Sequence, residues 1–423
     1  VTQSINVAPS ASRLTRSLRD VGYSFESAIA DLVDNSIAAG ATSVWVEIHF
    51  DGRSSTISIS DNGSGMDEHQ LDEAMRFGSK RTYSTNELGR YGLGLKTASL
   101  SQCRRFEVAS LTSDGDSAHA RALDLDFIEA TDDWVILDTS DDIDLDQLGN
   151  AVHGDHGTKI TWMKLDRVLP SKGAEGGWAR RRFERIEEKL RQHLSMVFHR
   201  FLEEDAENPV KIFINDEPIE SWDPFATAEP ATEEFSSNSF EVEQGDFSGV
   251  VRLRTYLLPT RERFSSPESF DEAAGPGKWN KQQGIYIYRA NRLVQWGGWS
   301  GIRAIDEHTK FARAALDFDT TLDEAFNINV AKMRVTLPSQ LKKMLARPLN
   351  ELCLAAGTAY RKSNLKTESV VYFEQKSLDS AAMENIGISL KSAAARTGHF
   401  KALQEIADLL KKESPELVKL LGF

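Results

Sequence analysis

Between residues 23 and 39 apolar side chains recur every three or four positions. Phe25, Ile29, Leu32 and Val33, with Ser36, share one side of a helical wheel, and Ser27, Asp31, Asp34, Asn35 and Ala38 share the other. Gly40 ends that run, and the period falls to two. Val44, Val46, Ile48 and Phe50 alternate with Ser43, Trp45, Glu47 and His49, which predicts a half-buried strand. Asp51-Gly52 turns the chain, and residues 56–60 return as a second strand with Ile57 and Ile59 inward. A polar, glycine-rich stretch over residues 77–94 leads into a short helix from Leu95 to about Gln102. Strands are predicted over residues 106–111, 121–127, 134–137 and 159–163, with acidic loops such as 141–146 between them. Together these elements predict a sheet covered by helices.

Around residues 170–177 the pattern gives way to Gly, Ser and Lys, which marks a domain junction. A long basic helix is expected over residues 178–202 and a strand over 210–215. An irregular loop rich in Pro, Thr, Ser and Glu follows over 222–249. Alternation returns at residues 250–257, 284–288 and 313–318, with a helix over 338–362 and a mixed-charge helical stretch over 369–423. The expected organisation is an N-terminal segment (1–22), a first α/β domain (23–170), a smaller α/β domain (178–365) and a helical tail (366–423). A chain of 423 residues with 40% hydrophobic and 27% charged positions is ordinary for folded domains.

The formal charge of −14 argues against a protein that coats DNA without specificity, since phosphate contacts draw on a surplus of Lys and Arg. Cys103 and Cys353 stand far apart, in no metal-ligand spacing, which fits a reducing compartment; we expect the cytoplasm. The first twenty residues carry Arg13, Arg16 and Arg19 and no long apolar run, so neither an export signal nor a membrane partner is expected.

Three groups of residues carry candidate chemistry. Asp61, in Asp61-Asn62-Gly63-Ser64-Gly65-Met66, shares the inward parity of Ile57 and Ile59, so a carboxylate is aimed at the apolar side of a sheet and needs donors there. A purine amino group with an ordered water would serve. Gly63 and Gly65 would let the backbone approach a flat base, although Asp-Asn-Gly is also an ordinary hairpin turn. On the first helix Asp31 and Asn35 stand at i and i+4 and point together. There a carboxylate would orient an attacking water and a carboxamide oxygen would hold Mg²⁺, the alternative being a solvated helix face. Finally, Gly89-Arg90-Tyr91-Gly92-Leu93-Gly94-Leu95-Lys96-Thr97 runs a glycine-rich turn into a helix, an arrangement whose N–H groups, lysine and hydroxyl suit phosphate.

The order of these motifs resembles that of the GHKL ATPase superfamily, which joins DNA gyrase, the ninety-kilodalton heat-shock chaperones, sensor histidine kinases and MutL. The matching residues are Asp31-Leu-Val-Asp-Asn35, Asp61-Asn-Gly-Ser-Gly65-Met66 and Gly89 through Ala98. His153-Gly-Asp-His-Gly-Thr158-Lys-Ile is similar to the later Gly-Thr motif. The resemblance implies an α/β sandwich ATPase domain using ATP and Mg²⁺. Asp31 would be the catalytic acid, Asn35 the Mg²⁺ ligand and Asp61 the adenine ligand with Thr158 close by, while the 89–97 turn would wrap the phosphates. The family's usual catalytic residue is Glu, so Asp31 is one methylene short, which predicts slower or differently arranged hydrolysis. Phe326-Asn-Ile-Asn-Val330-Ala-Lys332 resembles the MutL-like transducer region, which implies that Lys332 contacts the γ-phosphate. The stretch from Gln283 to Val294, with Trp296 and Trp299, looks most like MORC-type ATPases.

The resemblance further implies an ATP-induced homodimer that exchanges residues 4–22. Two functional classes stay open: a clamp on duplex DNA in repair, restriction or defence, and a nucleotide-gated module or chaperone for a protein partner, encoded nearby, with slow or no turnover. The helix with Arg180, Arg181, Arg182, Arg185, Lys189 and Arg191 would face DNA in the first class, or neutralise itself against Glu184, Glu187 and Glu188.

Overall fold

A computed structural model describes residues 9–20, 22–78, 93–113, 118–169, 173–244, 247–323, 325–326, 335–374 and 380–423. These fall into two compact units, Val1–Gly357 and Thr358–Phe423. The chain is mixed α/β, with two sheets in the first unit and helices in the second.

The first sheet has eight strands: β1 (Ser43–His49), β2 (Thr56–Asp61), β3 (Arg105–Leu111), β4 (His119–Asp124), β5 (Leu137–Asp138), β6 (Gly157–Met163), β7 (Lys211–Ile214) and β8 (Glu217–Pro218). Their spatial order is β5-β4-β3-β6-β2-β1-β7-β8. The alternation read from the sequence sets the inner face, where Val44, Val46, Ile57 and Ile59 are all buried. Against that face pack helices α1 (Ala11–Leu18), α2 (Phe25–Ala38), α3 (Glu68–Met75), α4 (Gly94–Leu100), α5 (Leu125–Thr131), α7 (Gly177–Val197) and α8 (His199–Leu202), while α6 (Leu145–Val152) joins a separate small cluster in which Leu148 and Val152 meet Ala109 and Leu111 of β3. Ser24 caps α2, its side chain accepting from the Ser27 N–H, and Gly40 (φ +75°) follows the helix in the left-handed region. Asp67 and Gln70 form a reciprocal capping box on α3.

The first layer does not end at the expected junction. Beyond residues 170–177, Ala179, Phe183, Leu190 and Leu194 of α7 enter the same core as α2, and β7 runs parallel to β1 with Ser43 opposite Lys211 and Val46 opposite Ile214. The long basic helix is two helices broken at Phe198. The strand expected over 121–127 stops at Asp124, whose side chain accepts from the Asp126 N–H and starts α5. Of residues 134–137 only Leu137 is in a strand, the two-residue β5.

The second sheet has the order β12-β11-β13-β10-β9, from β9 (Glu233–Gln244), β10 (Phe247–Leu257), β11 (Gly284–Arg289), β12 (Arg292–Gln295) and β13 (Ala312–Phe318). β9 corrects the irregular loop expected over 222–249, since eleven of its twelve residues pair antiparallel with β10. Short helices α9 (Pro267–Ala273) and α10 (Lys278–Gln282) lead into β11, and α11 (Ser339–Glu374) contributes Leu341, Leu345, Leu349 and Leu352 to the second core. Tyr286, Tyr288 and Trp299 are core residues, and Trp296 remains partly exposed.

The second unit holds the end of α11 and helices α12 (Ser380–Arg396), α13 (Phe400–Glu413) and α14 (Pro415–Leu420); Lys391 on α12 donates to the Gly422 carbonyl (2.5 Å). No helix among the described residues is long and apolar enough to cross a membrane.

Candidate functional site

The site gathers where α2 crosses the end of β2. Strand parity brings Asp61 inward as expected, 5% exposed, and its partners come from three directions. Ser36 on α2 donates to Asp61 Oδ2 (2.7 Å), the Gly63 N–H donates to Oδ1 (2.9 Å), and Thr158 lies opposite Asp61 across the β2–β6 ladder. Burial raises the Asp61 carboxyl above its usual range, while the bonds from Ser36, Gly63 and Thr158 and the nearby His156 oppose that shift. Thr158 shares a hydrogen bond with Ser110 (2.8 Å), and Ser110 Oγ accepts from the Met66 N–H (2.8 Å), which ties the Gly63–Met66 turn to β3 and β6.

The two glycines of that turn are there for space. A Cβ on Gly63 would lie 2.9 Å from Asp61 Oδ1 and from the Ala39 Cβ, and one on Gly65 (φ +67°) would lie 2.0 Å from the Leu111 carbonyl oxygen. The glycines let the turn pack against Ala39, Asp61 and Leu111, and the buried carboxylate they hold is an acceptor suited to an amino-bearing base.

Asp31 lies one and a half turns earlier along α2 than Ser36 and is 2% exposed. The alternative of a solvated helix face does not hold: α2 is buried at Asp31 and Asp34, and Asn35 is half-buried beside them. The Tyr23 hydroxyl donates to Asp31 Oδ2 (2.6 Å), and burial together with the Asp31 and Asp34 carboxylates pushes the Tyr23 pKa far up, so the proton stays on the phenol. A Cβ on Gly94, the first residue of α4, would lie 3.5 Å from Asp31 Oδ2, which puts the start of α4 next to the acid. Leu95 is half-buried and Thr97 is buried, its hydroxyl donating to the Leu93 carbonyl (2.9 Å).

Lys96 Nζ turns back to donate to the Ala74 carbonyl (2.7 Å), 5.9 Å from the Phe77 ring centroid, and burial lowers its pKa to about 8. Gly89, Arg90, Tyr91 and Gly92 of the expected phosphate turn lie outside the described residues, as does Lys332. Among the described residues no group of three or more His, Cys, Asp or Glu would hold a metal ion by itself. The Asn35 carboxamide oxygen is the kind of protein ligand that Mg²⁺ takes alongside phosphate and water.

Three participants escaped the sequence reading. Tyr23 was seen only as the start of a helix, and Ser36 only as an apolar-side residue. Arg292 was noted in a motif, but its partner lies far away in sequence: from β12 its Nε donates to both oxygens of Asp34 (3.0 and 3.1 Å). Two acids three residues apart on one helix, Asp31 and Asp34, were the available signal that a cation must approach. On the basic helix, Arg191 pairs with Glu217 (3.1 Å) and Arg182 lies over the Trp178 ring.

Residues 23–158 match the family of histidine kinase-, DNA gyrase B-, and HSP90-like ATPases. Two proteins of Arabidopsis thaliana share a shorter stretch: Protein MICRORCHIDIA 5 is 38% identical over 80 residues, and Protein MICRORCHIDIA 7 is 37% identical over 79. Each match covers 17% of this chain and 11% of the plant protein.

Proposed function

Residues 23–158 belong to the histidine kinase-, DNA gyrase B-, and HSP90-like ATPase family, and from that premise we propose that the chain binds ATP at the α2–β2 site and hydrolyses it to drive a change of conformation. The observation that carries the reading is the buried Asp61 with its Gly63–Gly65 cradle, set beside a helix that presents Asp31 and Asn35. Asp61 accepts from the adenine amino group, directly and through water, and Thr158 keeps that carboxylate in place. Asn35 holds Mg²⁺, which when bound offsets the negative charge of the phosphates. Leu93, Gly94, Leu95, Lys96 and Thr97, with Gly89, Arg90, Tyr91 and Gly92 ahead of them, enclose the phosphates.

Asp31 takes a proton from the attacking water as its oxygen bonds to the γ-phosphorus and the bond to the β–γ bridging oxygen breaks. Tyr23 fixes the rotamer of that carboxylate. Lys332, from the expected transducer region, reaches the γ-phosphate, so that loss of the γ-phosphate frees that region to move. Residues 4–22 exchange between two copies in the ATP state.

The MutL- and MORC-type resemblance of residues 283–299 and 326–332 supports duplex DNA as the partner of this cycle. The net charge of −14 favours a second reading, a protein partner gated by nucleotide. Steady-state ATP hydrolysis with and without duplex DNA, alongside Asp31→Ala, separates them. Turnover abolished by Asp31→Ala and raised by DNA supports the DNA clamp. Turnover indifferent to DNA supports the protein partner, and binding without turnover makes the site a sensor of nucleotide.

A further inference from the structure

We infer that Arg292 is a positioning residue for hydrolysis, through which the second sheet holds the acid-bearing face of α2 in place; the inference rests on the ATPase reading above.

The β11–β12 turn is built to hold a side chain still. Ala290 (φ 48°) and Asn291 (φ 66°) are consecutive left-handed residues, the backbone of a tight two-residue hairpin. On one side of the turn Arg289 makes a forked pair with Asp323 (2.7 and 2.8 Å), both groups buried. At its tip Asn291 Oδ1 accepts from Arg200 (3.4 Å), which also pairs with Asp317 and lies over the Tyr288 ring (3.5 Å). On the other side Arg292 leaves the second sheet for α2.

There the guanidinium meets two carboxylates. Nε bonds both oxygens of Asp34, Nη2 lies 4.0 Å from Asp31 Oδ1, and Nη1 donates to the Leu293 carbonyl (3.0 Å). Its flat face lies 5.7 Å from the Phe198 ring centroid, at the break between α7 and α8. Burial and Arg292 push neighbouring His193 down to about 3, so that imidazole stays neutral and adds no second cation. Two carboxylates three residues apart on a buried helix face repel each other, and a guanidinium set between them offsets that repulsion. Asp34 takes the direct bonds. Asp31 lies at the edge of the same charge, held in orientation by Tyr23. A small rotation of α2 would move Asp31 relative to ATP, and near-attack geometry is sensitive to shifts of about 1 Å.

The test compares wild type, Arg292→Gln, Arg292→Lys and the double variant Asp34→Asn/Arg292→Gln, all as full-length chains. It measures kcat, binding of a nonhydrolysable ATP analogue and the melting temperature. The double variant leaves no lone buried charge at the pair, so it separates folding from positioning. Expected are a kcat lowered about tenfold or more in Arg292→Gln and in the double variant, analogue Kd values within about threefold of wild type, and an intermediate kcat for Arg292→Lys. The melting temperature of the double variant should recover toward wild type while its kcat stays low. Recovery of kcat together with stability would overturn the inference and leave Arg292 a structural residue, as would an unchanged kcat in Arg292→Gln or a loss confined to analogue binding. If Arg292→Gln does not fold, the Lys and double variants decide the matter on the same terms. Wild-type protein without Asp31-dependent turnover would overturn the hydrolysis reading and this inference with it.

Discussion

Asp61 sits where a carboxylate costs the empty protein something. Its pKa is raised by burial, so in the folded state it resists ionisation, and the stability tied to its neutral form is lost as pH rises through the raised value. Above that raised value the charged group destabilises the fold until a donor arrives. Asp61→Asn keeps the shape and removes the charge. We expect it to melt no lower than wild type without nucleotide, and to weaken ADP binding by roughly 10- to 100-fold, the span of a lost bond to a charged acceptor. Calorimetric titration and thermal melting of the same samples check both halves.

Lys96 makes the opposite kind of prediction. With its pKa lowered to about 8, the folded protein gives up a proton that the unfolded chain keeps until near 10.5, so the Lys96 contribution to stability rises with pH between those values. A phosphate beside it would favour the charged form. Nucleotide binding near pH 8.5 should accordingly take up protons, and Lys96→Met should abolish that uptake, as read from binding enthalpies in buffers of different ionisation enthalpy.

At the scale of elements, β6 meets β2 without slack. A Cβ on Gly157 (φ +147°) would lie 2.0 Å from the Asp61 carbonyl oxygen, so Gly157→Ala should cost about 1–3 kcal/mol in urea denaturation and disturb Asp61 with it. The Gly157-Thr158 pair was legible in the sequence because its glycine and threonine answer a motif, and α2, β1 and β2 because their apolar residues keep a clean period. β9 was not legible. Along it Ser236, Asn238, Phe240 and Val242 are the less exposed positions, and two of these four are polar, with Ser236 satisfied by the Thr255 hydroxyl across the ladder (2.8 Å). An edge strand whose inward side carries hydroxyl and amide groups has the composition of a loop. The same limit hid Arg121, which is buried among Glu68, Asp72 and Asp138, residues that alternation along one strand does not bring together. Asp31, Asn35 and Asp61 could be placed from spacing, whereas the Tyr23 and Arg292 contacts depend on how separate elements meet.

For the whole molecule, the proposed cycle predicts that a nonhydrolysable ATP analogue with Mg²⁺ raises the sedimentation coefficient to that of a dimer, and that removing residues 1–22 prevents the rise. An unchanged coefficient in the intact protein would sink the exchange of residues 4–22. The first sheet also has a consequence for how the protein is made. Its interior strand β1 has β2 on one side, but on the other it waits for β7, with Val46 paired to Ile214. At roughly 5–20 residues per second, a ribosome needs about 10–30 s to synthesise the chain between those partners. Throughout that interval β1 offers an unpaired edge to any other nascent chain. The protein's exposure to misassembly is thus set by translation speed across residues 47–213, and slowing synthesis there should lower its soluble yield more than slowing it after residue 218.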